Sequence, residues 1–189
     1  MEILEGIKNR LSPVVFKEKA VEREKMDALI EAARWAPSCM NNQSWNYVFV
    51  ASEDSTRDTF EEGLSRGNSW AKRAPYLVAV GANPEEACRA NDLPYYAYDC
   101  ALSVMSLVIE AEHLGLRVHQ MAGWDERTVK ESLGFPDEYR VVVVFALGYE
   151  ENPKDVWDEL DDGTKKKVSR DRTRKPRSEN FFFDKFGKA

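Results

Sequence analysis

The chain has 189 residues, 43% of them hydrophobic and 32% charged, and five are Trp. That length supports one domain able to bury a core without a disulfide or zinc staple, and the composition excludes disorder throughout. The formal net charge of −6 repels polyphosphate backbones, which argues against general nucleic-acid binding.

In chain order, Met1 to Arg10 reads as a short helix with Ile3, Leu4 and Ile7 on one face. Arg23 to Ala36 is predicted as a helix because Met26, Leu29, Ile30, Ala33 and Ala36 recur at helical spacing, and Pro37 stops it. A polar loop, Asn41 to Ser44, leads to a strand over Trp45 to Val50. Asp54 to Leu64 reads as a helix capped from Ser52. Pro75 to Val80 reads as a buried strand. Tyr96 to Leu114 is the longest predicted helix, apolar around most of its circumference. Such a helix is buried on more than one side, either as a central core helix or shared with a second subunit. Gly115 ends it. Arg117 to Met121 reads as a short strand and Glu126 to Leu133 as a short helix. The four valines within Tyr139 to Leu147 mark the clearest strand. Asn180 to Phe183, with three consecutive Phe, reads as an extended arm that docks on its own sheet or on a partner's.

Charge is uneven. Lys165 to Arg177 holds eight basic residues against the single Asp171, a charge of +7, and residues 1–164 carry −13. The stretch is either a solvated tail or a local phosphate site, since Arg forks match phosphate oxygens. Three cysteines, Cys39, Cys88 and Cys100, make an odd count without CxxC spacing. This fits a reduced cytoplasm, a small packed role for Cys39, and no structural metal. No apolar run approaches the roughly 18 residues of a membrane span, and the start MEILEGIKNR is unlike a secretory signal. No phosphate-cradling glycine loop, HExxH or GxSxG is present. His113 and His119 are too few for a metal cluster, and His113 is expected to be packed. A chain without these motifs can still be an enzyme if a cofactor carries the chemistry.

The segment APSCMNNQSW, Ala36 to Trp45, resembles the A-P-S-x-x-N-x-Q-P-W signature of the nitroreductase family of flavoproteins. Ala36, Pro37, Ser38, Asn41, Gln43 and Trp45 match, and Ser44 stands where the family usually has Pro. Three further patterns occur in the family's order: IKNRLSPVVF with Ile7, Arg10, Ser12 and Phe16; AGWD in mid-chain; and RTRKP with Arg172, Arg174 and Pro176.

The resemblance implies an α+β fold with a central mixed, mostly antiparallel sheet flanked by helices, in a single domain spanning 1–189. It implies FMN bound at the interface of a homodimer. The implied activity is ping-pong transfer of hydride from NAD(P)H, through flavin N5, to a nitroaromatic, a quinone or a similar acceptor. Arg10, Leu11 and Ser12 match the N-terminal cofactor contacts, and Arg172 and Arg174 the C-terminal phosphate contacts. Asn41 matches the residue at the pyrimidine edge of the flavin. Pro37, Ser38 and Gln43 belong to the same loop, where Gln43 is also read as a brace. Ala122 and Gly123 match the backbone that approaches N5, and glycine permits close approach. No side chain is assigned as catalytic. Trp70, Tyr95 and Tyr96 are read first as core or interface.

Two departures stand out. Leu11 and Val14 occupy positions where the family often has basic residues. A cation near Val14 would stabilise anionic reduced flavin, so the reading expects a lower reduction potential unless Lys17 or Lys19 substitutes. Residues 178–189 are expected to pack on the partner subunit. Two alternatives stay open: a flavin-binding relative that cleaves flavin, dehalogenates or sequesters flavin, and a non-enzymatic dimeric module with a basic tail.

Overall fold

The computed structural model describes residues 3–188. Four strands form one sheet in the order β1-β2-β6-β5: β1 is Asn46–Ala51, β2 Tyr76–Ala82, β5 Arg117–Met121 and β6 Arg140–Gly148. A two-stranded hairpin, β3 (Arg89–Ala90) and β4 (Leu93–Pro94), stands apart. The sheet was expected to be mixed and mostly antiparallel. Every pairing among the described strands is antiparallel.

The central strands β2 and β6 bury both faces, and their side chains alternate between two cores. Leu77, Ala79, Val144 and Ala146 point to one side, where they meet Val14, Val15, Phe16, Phe60 and Trp70. Val78, Val80, Phe145 and Leu147 point to the other, where they meet two helices, α2 (Arg23–Arg34) and α4 (Tyr96–His113). Leu29 of α2 and Val104 and Leu107 of α4 fill that layer. The result is a sheet covered on both faces, an α+β architecture.

Helix α4 ends where Gly115 takes a left-handed φ of 73°, which lets Leu116 N–H reach the Ala111 carbonyl at 2.7 Å. Helix α5 (Glu126–Leu133) starts where the Asp125 carboxylate accepts the Thr128 N–H at 2.8 Å. Within one chain α4 is not covered all round. Tyr98 and Ala101 are exposed, and Leu102, Met105 and Ile109 are only half-buried. These positions recur at helical spacing and form one apolar stripe.

Several expectations are corrected. Helix α1 is only Glu5–Asn9, and Ile3, Leu4 and Ile7 are exposed rather than packed; Met1 lies outside the described residues. Helix α3 is Arg57–Glu62 and takes no cap from Ser52; instead the Asp54 carboxylate accepts the Thr56 N–H. His113 is exposed. The arm is not extended: Arg177–Glu179 is a 3-10 turn, Phe182 packs on Phe186 at 4.9 Å, and Phe183 N–H reaches the Lys188 carbonyl. No strand of its own sheet lies beside it, so the segment satisfies its backbone locally.

Candidate functional site

The N-terminal segment after α1 is tied down at three points. Lys17 N–H donates to the Tyr149 carbonyl at 2.9 Å, and Glu151 N–H donates to the Val15 carbonyl at 3.1 Å. His119 Nδ1 donates to the Pro13 carbonyl at 2.8 Å. A carbonyl can only accept, so this bond fixes the proton on Nδ1. Arg10 and Ser12 are thereby held at the end of β5 and β6, with Arg10 Nη1 3.2 Å from Ser12 Oγ.

The C-terminal stretch arrives from the other side. Helix α6 (Asp162–Val168) begins where the Asp161 carboxylate accepts the Thr164 N–H at 3.0 Å. It ends in Lys165, Lys166 and Lys167, and Lys167 Nζ donates to the Gly67 carbonyl. The chain then passes Arg170, Arg172 and Arg174 along the cleft that Arg10 faces.

This cleft has a volume of about 540 Å³. Its cations are Arg10, Lys167, Arg170, Arg172 and Arg174, and its apolar lining includes Leu11, Pro13, Val14, Val15 and Val168. Its acids are Glu150, Glu151 and Asp171. Two of the three are engaged by cations outside the cleft, Glu150 by Arg117 at 3.1 Å and Glu151 by Lys17 at 4.0 Å. Among the described residues none of the five cleft cations joins an ion pair. They act on one another instead. Burial, then the charges of Arg172 and Arg174, lowers the Arg10 pKa from its ordinary value. Burial, then Arg170, does the same to Lys167. His119 also lines the cleft; burial lowers its pKa against the opposing pull of the Pro13 hydrogen bond, and Lys167 and Arg10 add to the lowering. Unpaired cations gathered from both ends of a chain have the charge to attract a multiply charged anion.

The motif loop lies elsewhere. At the start of α2, Lys25 Nζ donates to Tyr149 Oη at 2.9 Å, one residue from Glu150 of the cleft. At its end, the Ala33 carbonyl accepts Ser103 Oγ, and the chain turns through Pro37 into Ser38 to Gln43. Twelve helical residues span ~18 Å. The loop and the cleft are therefore at opposite ends of α2. Gln43 is a brace within the loop: its N–H donates to Ser38 Oγ at 2.9 Å and its Nε2 to the Asn41 carbonyl at 3.1 Å. Pro37 and Asn41 are exposed.

A sequence profile of the nitroreductase family matches residues 7–69 and 64–149. The chain belongs to the nitroreductase family. One relative of this nitroreductase-family chain, from Archaeoglobus fulgidus, carries the name "Putative NADH dehydrogenase/NAD(P)H nitroreductase"; it is 27% identical over 165 residues, covering 85% of this chain and 92% of that protein. An iodotyrosine deiodinase from Thermotoga neapolitana is 26% identical over 162 residues, covering 74% of this chain and 83% of its own. A solved structure described as an oxidoreductase containing FMN superposes with a TM-score of 0.84 at 25% identity, over 100% of this chain and 95% of the other.

In this nitroreductase-family chain, Ala122 is exposed and Gly123 is half-buried beside the 3-10 segment Arg66–Arg73. The Gly123 carbonyl accepts Ser65 N–H at 3.1 Å and Asn68 Nδ2 at 2.9 Å. A Cβ on Gly123 would collide with Ser65 Oγ and lie 3.1 Å from Asn68 Nδ2. Gly123→Ala is therefore expected to destabilise the fold by ~1–3 kcal/mol, as overpacking does. A thermal melt checks this, and an unchanged melting temperature would show that the Ser65 turn yields freely.

Sequence reasoning missed four residues here. Lys167, Arg170 and His119 line the cleft, and Asn68 orients the Gly123 peptide. The +7 charge run was the one available signal, and it covers Lys167 and Arg170 alone. Trp70 is core, stacked on Phe16 at 6.1 Å and against His119 at 4.3 Å. The reading of Cys39 as a small packed residue is corrected: Cys39 is disulfide-bonded to Cys88, and only Cys100 is free.

Proposed function

We propose that the chain is an FMN-dependent oxidoreductase, acting as a homodimer, that moves hydride from NAD(P)H to a small oxidised acceptor such as a nitroaromatic or a quinone. The observation that carries this is the cleft of five unpaired cations drawn from both ends of the chain. Its charge suits the dianionic phosphate of FMN, and its apolar lining suits an organic body attached to that phosphate. FMN supplies the hydride chemistry at N5 when bound. Arg10, Ser12, Arg172 and Arg174 hold the phosphate. Leu11 contributes apolar contact rather than charge. Lys167 lines the same cleft as Val14, whereas Lys17 and Lys19 are engaged with Glu151 and Glu22. Lys167 is thus the lysine of this cleft that stands in for a basic residue at position 14. Asn68 holds the Gly123 peptide in one orientation.

The distance along α2 supports the homodimer. Pro37, Ser38, Asn41 and Gln43 cannot close over the cleft of their own chain, and a second copy brings them there. The uncovered stripe of α4 from Tyr98 to Ile109 and the exposed Phe181, Phe183 and Phe186 of the arm supply apolar surface for that contact. Residues 178–189 then pack on the partner subunit.

A second reading, reductive dehalogenation by the same flavin cradle, is favoured by the likeness to the iodotyrosine deiodinase. Steady-state oxidation of NADPH by flavin-loaded protein separates the two. Turnover with a nitroaromatic or a quinone is expected. Negligible turnover with both, together with halide release from a halotyrosine, would favour the second reading.

A further inference from the structure

Loop Ser38 to Gln43 is held in an unfavourable shape. Met40, Asn41 and Gln43 have left-handed φ values of 51°, 58° and 49°, a region that non-glycine residues seldom occupy. Such a shape persists only where its surroundings enforce it. Cys39 N–H donates to Asp99 Oδ1 at 3.1 Å, and Asp99 is fully buried at the start of α4. Asn42 Nδ2 donates to the Glu86 carbonyl at 3.1 Å. The third tie is the Cys39–Cys88 bond, with Cα atoms 5.8 Å apart and a separation of 49 positions in sequence. Cys88 is itself anchored, because its carbonyl accepts Tyr95 N–H at 2.9 Å ahead of α4. Two of the three ties therefore run to the segment between β2 and β3, and only one of the three responds to redox conditions.

Both bonded cysteines are only partly buried, unlike Cys100. Cys100 cannot exchange with them readily. It is buried, and burial pushes its thiol pKa up to about 12, which leaves it protonated and inert.

We propose that Cys39 and Cys88 form a thiol–disulfide switch that sets the conformation of the Ser38–Gln43 loop. Given the flavin reading above, on which this part rests, the switch also sets the affinity for FMN. The chemistry balances with a low-molecular-weight thiol as the reductant. One thiolate attacks a sulfur of the pair, the S–S bond breaks, and the other sulfur leaves as a thiolate. A second thiol resolves the mixed disulfide, leaving two protein thiols and one small disulfide; two electrons and two protons have passed to the protein. Opening the bond removes a covalent restraint on a strained loop. The reduced loop then samples other shapes, and its binding-competent fraction falls.

The test uses the full chain, freed of flavin, oxidised with diamide or reduced with dithiothreitol in the dark. Non-reducing peptide mapping is expected to find a Cys39–Cys88 crosslinked peptide and a free Cys100 after oxidation. Amide exchange over residues 38–43 is expected to speed up on reduction. FMN affinity, read by fluorescence quenching, is expected to fall about tenfold on reduction if about a tenth of reduced loops keep the competent shape. Cys88→Ser is expected to match the reduced protein in both conditions, and Cys100→Ser to keep the full redox response. Free thiols at both positions after oxidation would overturn the proposal. So would equal loop exchange in the two states, or tighter FMN binding by the reduced form. Redox-dependent loop exchange without FMN binding in either state would uphold the loop switch and sink the flavin reading alone.

Discussion

Replacing Arg10 or Arg174 with Ala is expected to weaken FMN binding by ~1.5–3 kcal/mol, roughly 10- to 150-fold, the range for a hydrogen bond to a charged group. The two residues stand 164 positions apart in the chain, yet they face one cleft, and the charge of Arg174 helps to lower the Arg10 pKa after burial and Arg172. Such an arrangement is unfavourable when empty and becomes favourable when a dianion enters it. Riboflavin, which has no phosphate, is the control ligand. Its affinity is expected to change little in either variant. Arg127→Ala is the control substitution, since Arg127 is exposed on α5 and, among the described residues, pairs only with Glu131. Fluorescence titration reads all of these. Unchanged FMN affinity in both variants would reject the phosphate assignment. An equal loss for riboflavin would show that the arginines act on the fold rather than on the phosphate.

The largest effect on stability is expected at Arg57. Its guanidinium is 3% exposed. Nε donates to Glu61 at 2.7 Å, and Nη2 donates to the carbonyls of Ala74 at 2.9 Å and Lys72 at 3.2 Å. Those carbonyls end the Arg66–Arg73 segment, which carries Asn68 and Trp70. Arg57→Met leaves the half-buried Glu61 carboxylate to Lys72 alone, at 3.3 Å, and takes the buried donor from the Ala74 and Lys72 carbonyls. Breaking one side of a buried charged network costs ~3–5 kcal/mol. For a chain of this size that lowers the melting temperature by roughly 6–20 °C. Calorimetry would detect it, and a drop of less than 2 °C would contradict the account. Arg57→Lys keeps the charge but not the fork, so it is expected to fall between the two.

The elements legible in the sequence are those whose burial writes a period into the residues. β5 and α5 match their predicted bounds, and α2, β2, α4 and β6 differ from theirs only at the ends. Both faces of β6 are buried, so its valines run on without alternation. Arg66–Arg73 was invisible because its shape depends on Arg57, nine residues or more upstream, and not on any local period. The Cys39–Cys88 pair was invisible because a separation of 49 residues carries no spacing signal. Within the cleft, Arg10, Arg172 and Arg174 were legible through motif resemblance, and a charge run drew attention to the C-terminal side. His119 and Lys167 were not legible as neighbours, since only the packing of α6 and the Pro13 contact bring them together. The arm was misread because three adjacent Phe suggest a strand, while the local turns and Phe182–Phe186 packing compete with extension.

Sedimentation velocity of the purified protein, followed in the visible flavin band, tests the central claim most directly. The account predicts yellow absorbance that sediments as one boundary at the size of two chains. Flavin absorbance that stays with the small solutes while the protein sediments, or that travels with a single chain, would contradict it.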